Sequence, residues 1–114
     1  MKTLAILISG QGSNMASLIR VCHDERWPAR IGAVISNREH APGLAVAASF
    51  GVSAQAMPHS AFASRDDFDA ALGDRLEAIG ADLVVLAGFM RILTEGFVRR
   101  FANRVVNILS LIHI

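Results

Sequence analysis

Residues 4–8, Leu4-Ala5-Ile6-Leu7-Ile8, form an unbroken apolar run that stops at Ser9-Gly10-Gln11-Gly12-Ser13-Asn14, and a helical stripe begins at once. An apolar run this short, greasy on both of its alternating faces, fits a strand covered on both sides. From residue 13 to about 25, Met15, Leu18, Ile19 and Cys22 fall at i, i+3, i+4 and i+7, one face of a helix. Cys22 on that face reads as a buried core thiol. A doubly buried strand, a glycine turn and an amphipathic helix open a βαβ unit, which restricts the chain to parallel-sheet architectures.

The same alternation recurs downstream. Residues 31–35 read as a second strand, and Pro42 and Gly51 frame a short helix whose face is Leu44, Val46, Ala47 and Phe50. Residues 52–57 are a weaker third strand. The spacing predicts a helix over 64–79, with Ser64-Arg65-Asp66-Asp67 as its capping box, Phe68, Leu72, Leu76 and Ile79 as its stripe, and Gly80 as its stop. Residues 83–87 make a fourth strand, Thr94 caps a short helix carrying Phe97, Val98 and Phe101, and Val105-Val106-Asn107-Ile108 begins a fifth strand. The expected fold class is therefore α/β, a Rossmann-like, mostly parallel sheet with flanking helices.

Composition narrows the function classes. With 53% hydrophobic and 18% charged residues and a mean hydropathy of +0.42, the chain is too apolar to be disordered. So much apolar residue in 114 positions is buried in a sheet covered on both faces, or lacks a partner or segment that should cover it. The formal charge is +1 and Lys2 is the one lysine, so no basic stripe marks a nucleic-acid groove or an anionic membrane surface. No apolar run approaches the length of about 18 residues that a membrane span needs. The first apolar run ends in glycine without a small-x-small cleavage site, and a lone cysteine cannot close an internal disulfide. These features predict a cytoplasmic protein without nucleic-acid or membrane partners.

In parallel sheets ligands bind beyond the carboxyl ends of the strands, so the loops there carry the candidate chemistry. In 9–14, Gly10 and Gly12 allow a tight turn whose amides, at a helix start, suit a phosphate. It is not a dinucleotide fingerprint: Met15 stands where the third glycine belongs, and Ser36-Asn37-Arg38 lacks the acidic residue that would hold a ribose diol. Ser13 or Asn14 could equally cap the helix. The bulky run Phe89-Met90-Arg91-Ile92-Leu93 would either contact a flat apolar ligand or fold back onto the core. Arg65 puts a positive charge at the positive end of a helix, a cost that an anionic ligand would offset, or else lies solvated on the surface. Asn107, polar in an apolar strand, could donate to a developing oxyanion or bond to backbone. The four histidines, His23, His40, His59 and His113, have no triad or metal spacing and read as structural or solvated. No metal site is expected.

Leu-Ile-Ser-Gly-Gln-Gly-Ser-Asn at 7–14, Ser-Asn at 36–37, Ser-Ala-Phe-Ala-Ser-Arg at 60–65, Leu-Ala-Gly-Phe-Met-Arg-Ile-Leu at 86–93 and Val-Asn-Ile at 106–108 together resemble phosphoribosylglycinamide formyltransferases. These are the folate-dependent enzymes of purine synthesis. Methionyl-tRNA formyltransferases look different in the first loop. The resemblance implies that Gly12, Ser13 and Asn14 bind the phosphate end of phosphoribosylglycinamide, the substrate. It implies that Arg65, Met90, Arg91, Ile92 and Leu93 contact the co-substrate 10-formyltetrahydrofolate, and that Asn107 holds the formyl oxygen during direct attack by the substrate amine, with no metal. The alternatives are a non-enzymatic nucleotide- or phosphate-binding module, and a related formyltransferase or deformylase with another acceptor.

One departure from the family pattern matters. The family continues Asn-Ile-His-Pro-Ser-Leu-Leu, with the histidine as general acid/base, whereas this chain reads Asn107-Ile108-Leu109-Ser110-Leu111-Ile112-His113-Ile114. Leu109 stands in the histidine's place and cannot move a proton. The expectation is that 1–108 are the amino-terminal, phosphate-binding part of a formyltransferase domain. Residues 109–114, which match the translation of a transposase sequencing adapter, are expected to be a non-native tail, and the chain as it stands is expected to be catalytically incompetent.

Overall fold

A computed structural model describes residues 2–108 of the chain. Leu109, His113 and the expected tail at 109–114 lie outside the described residues. The elements run β1 (Lys2–Ile8), α1 (Ser13–Asp24), β2 (Ala29–Ser36), α2 (Pro42–Ser49), β3 (Ala54–Ala56), a 3-10 turn (His59–Ala61), α3 (Arg65–Ile79), β4 (Leu83–Ala87), α4 (Glu95–Arg100) and β5 (Val105–Ile108). The five strands form one sheet in the order β3-β2-β1-β4-β5, and every pairing is parallel.

Residue alternation on the strands explains the layering. On β1, Leu4, Ile6 and Ile8 face one way and join Met15, Leu18, Ile19 and Cys22 of α1 and Ala47 of α2 in one buried cluster. Ala5 and Leu7 face the other way and meet Phe68, Leu72 and Leu76 of α3, with Phe97 and Phe101 of and beside α4. Helices thus cover both faces of the sheet, as the apolar composition requires. The first two crossover helices lie on one face and the next two on the other, so the winding reverses between β1 and β4. Such a reversal leaves a crevice at the carboxyl ends of the two strands.

The helix signals act as expected at α3. The Ser64 hydroxyl accepts from Asp67 N–H at 3.1 Å, and Gly80 closes the helix in the left-handed region at φ 77. Thr94 likewise accepts from Phe97 N–H at 3.2 Å to start α4.

Four local expectations are corrected. Neither Ser13 nor Asn14 is the N-cap of α1: that residue is Gly12, which has no side chain to offer. The face expected for α2 is only partly buried, because the helix seats itself through Gly43 and Ala47 while Phe50 stays exposed. A Cβ on Gly43 would sit 2.9 Å from Gly10 O, so the close approach of backbones, not a broad apolar stripe, sets its position. The weak third strand shrinks to Ala54–Ala56 at the sheet edge, and Val98 of α4 points outward, exposed, while Phe97 and Phe101 turn inward.

Candidate functional site

Two loops of different construction lie side by side over the β1/β4 crevice. After β1, the chain turns through Gly10 and Gly12 and enters α1 with Gly12 at φ 75, ψ 32. Only glycine takes that conformation without strain, and here the space is closed as well, since a Cβ would lie 2.6 Å from Met15 Cε and 3.2 Å from Gly43 Cα. The first α1 residues, Ser13 and Asn14, therefore start a helix whose cap brings no side-chain oxygen to the leading amides. Those amides and the positive dipole end suit an anion. The amino terminus of α2 abuts the same loop, with Gly43 N–H donating to Gly10 O at 3.0 Å.

After β4, Gly88 at φ 76 releases the chain into the run 89–93. The structure resolves the two readings of that run by splitting it. Phe89 and Leu93 pack against the α3/α4 core cluster, while Met90 and Ile92 are 76% and 75% exposed. Alternation of this kind anchors a segment at two points and leaves an apolar surface between them.

Arg91 lies inside that segment with its guanidinium over the Phe68 ring, 4.6 Å from the centroid, in cation–π geometry. Its Nε is buried and has no hydrogen-bond partner, an orphaned donor. Asp69, only 3% exposed, accepts from Thr94 N–H through Oδ2 at 2.7 Å and ties the end of the segment to α3. Its Oδ1 is buried and unpartnered. Asp69 was not singled out in the sequence, where it reads as one more acidic residue of α3. No local signal marked it: the three-residue interval puts it one turn along the helix from Asp66, which is exposed.

Asn107 is paired in register with Leu86 of β4, one strand out from the crevice and level with the root of the 88–93 segment. Its side chain is exposed, because β5 is the sheet edge among the described residues. Arg65 is the first residue of α3 and is exposed. The sequence-predicted positions thus gather at the carboxyl end of the sheet. His59 makes structural contacts only, with Nδ1 at 3.2 Å from Asn37 O. Among the described residues no cluster of three His, Cys, Asp or Glu side chains is placed to hold a metal, and no helix is long and apolar enough to cross a membrane. A groove of about 640 Å³, lined by Leu4, Trp27, Pro28 and Leu83 among others, lies at the opposite, amino-terminal end of the strands.

Residues 2–111 match the family model described as formyl transferase. The chain belongs to the formyl transferase family. Within that family it is 43% identical over 108 residues to the phosphoribosylglycinamide formyltransferase of Haemophilus influenzae, covering 95% of this chain and 51% of that protein. It is 40% identical over 105 residues to the Escherichia coli phosphoribosylglycinamide formyltransferase, covering 92% of this chain and 50% of that protein. The crystal structure of glycinamide ribonucleotide transformylase 1 from Symbiobacterium toebii superposes with a TM-score of 0.89 at 44% identity, over 94% of this chain and 50% of that one. The formyl transferase chain thus spans about half the length of the curated relatives it matches.

Proposed function

We propose that this chain carries the phosphate-binding half, and the first part of the folate-binding half, of a phosphoribosylglycinamide formyltransferase of purine synthesis. The observation that carries the reading is the meeting, at the β1/β4 crevice, of an amide-rich helix start opened by Gly12 and an apolar segment with exposed Met90 and Ile92. An anionic group suits the first and a flat heterocycle suits the second, and the relatives with this half-chain are named for that reaction.

The backbone amides of Gly12, Ser13 and Asn14 would hold the phosphate of phosphoribosylglycinamide. Met90 and Ile92 would cover the face of 10-formyltetrahydrofolate, which supplies the formyl group, while the backbone of Arg91 and Leu93 meets the polar edge of its pterin. The orphaned Nε of Arg91 fits a site completed by a ligand or its bound water. Arg65, exposed at the start of α3, would attract the anionic end of the folate. Asn107 would donate its side-chain amide to the formyl oxygen as negative charge develops there under attack by the substrate amine. No metal takes part, and the site is cytoplasmic and acts on small molecules.

The partner for proton transfer is the weak point, because Leu109 replaces the family's histidine. General acid/base groups contribute about 10²–10⁴-fold, so this chain is expected to bind but turn over at least that much more slowly than the Haemophilus influenzae relative. Calorimetry of the chain with phosphoribosylglycinamide, NAD and ATP tests the binding claim. Saturable binding of the first without preference for either nucleotide supports it. A preference for NAD or ATP would replace it with a general nucleotide-binding module.

A further inference from the structure

Ser9 and Asn37 are polar, yet only 3% and 4% exposed, at the carboxyl ends of the central strands. The Ser9 hydroxyl donates to Asn37 Oδ1 at 2.6 Å and accepts from Met90 N–H at 2.7 Å. Asn37 in turn faces the loop after β3: its Nδ2 lies 3.3 Å from His59 Nδ1, and its backbone carbonyl accepts from His59 N–H at 3.2 Å. One hydroxyl thus joins the loop that follows β1 to the segment that follows β4. It sits immediately before Gly10, where the amide-rich turn begins, and Met90 is the first of the two exposed apolar residues.

Resting on the proposed function, we infer that Ser9 is a positioning residue that fixes the spacing between the phosphate loop and the 88–93 segment. The strand ladder cannot set that spacing, because the β1/β4 pairing ends at Leu7 and Leu86. Beyond that rung the two loops are free to diverge, and amine attack on a formyl group requires reacting atoms about 3–3.5 Å apart. A buried serine can hold them together because its single proton goes to Asn37, leaving its lone pairs for Met90 N–H, so the bond direction is determined. Without the hydroxyl, Asn37 Oδ1 would be buried and unpaired, and Met90 N–H would lose its partner and leave the segment free to move toward water.

Amide NMR of the 114-residue chain titrated with phosphoribosylglycinamide tests this. In the natural sequence the amides of Gly12, Ser13 and Asn14 and that of Met90 are expected to shift along one binding curve. In Ser9→Ala the first three still shift, Met90 does not, and hydrogen exchange at Met90 rises about tenfold or more. Ser9→Thr, which keeps the hydroxyl, restores both properties. Ser9→Cys, which keeps the volume but bonds weakly, gives an intermediate exchange rate and serves if the alanine variant does not fold. The inference is overturned if residues 12–14 shift while Met90 stays still in the natural sequence, or if Met90 exchanges equally fast in Ser9→Ala. If residues 12–14 never shift, the proposed phosphate site falls and the spacing role falls with it.

Discussion

Gly12 and Gly51 share a left-handed φ of 75, but only Gly12 is crowded, by Met15 and Gly43. Gly51→Ala is therefore expected to cost about 1–2 kcal/mol from backbone strain alone, and Gly12→Ala more than that, together with lost phosphate binding. Urea denaturation compares the two stabilities, and equal losses would show that the packing around Gly12 yields freely. Cys22 offers a different residue-scale test. Burial pushes its thiol above the ordinary 9.0, so the native chain holds a proton that the unfolded chain releases. Its contribution is complete below 9.0 and is lost as the pH rises toward the native value. The urea midpoint should accordingly fall more steeply above pH 9 in the natural sequence than in Cys22→Ala, and parallel curves would contradict this. Asp69 shows what residue-level reading misses: nothing in Arg65-Asp66-Asp67-Phe68-Asp69 marks which carboxylate turns inward to hold Thr94 N–H.

Helices α1 and α3 both begin beside a candidate site loop, yet they begin differently. α3 has a side-chain cap in Ser64, and Ser64→Ala is expected to destabilise the fold by about 1 kcal/mol, read from the urea midpoint. α1 has none, since Gly12 is its cap. A helix start whose cap residue has no side chain gives up stability that a bound anion can return. Substituting an alanine at Ser13 should consequently change stability little, within about 0.5 kcal/mol. A loss as large as that of Ser64→Ala would mean the Ser13 side chain caps after all. The sequence placed α2 and α4 as well, through Pro42, Gly51 and Thr94, but in helices this short it gave the buried face only in part, since Phe50 and Val98 are exposed. Two turns packed through Gly43 and Ala47 need no apolar stripe, so Phe50 is left outside beneath the Arg20 guanidinium, 5.4 Å from its ring centroid.

Across the whole molecule, the central strand β1 is paired on both sides over most of its length, while β3 and β5 are short edges among the described residues. Hydrogen exchange should be slowest in Ala5, Ile6 and Leu7 and fastest in β3 and β5. Uniform protection would indicate that the edges are covered. Exposure of Val106 on β5, with Val98, Met90 and Ile92 nearby in sequence, accounts for part of the apolar excess that the buried sheet does not absorb. The relatives carry about twice the chain length around this half-domain.

The sequence by itself determined the strand and helix order, the two glycine-framed loops and the family, because short doubly apolar runs, capping residues and stripe spacing are local patterns. It also marked Gly12 and Asn107 as candidate site residues, through a glycine turn and a polar residue in an apolar strand, while Arg91 entered through the family resemblance. Only the tertiary structure decided that Met90 and Ile92 face outward while Phe89 and Leu93 anchor the segment, and that Arg91 stacks on Phe68. It alone joined Ser9, Asn37 and Met90, which are separated by 28 and 81 positions from Ser9 to each partner. Contacts at such separations depend on strand order, and strand order is fixed by how helices pack on the two faces of the sheet, which no local pattern encodes.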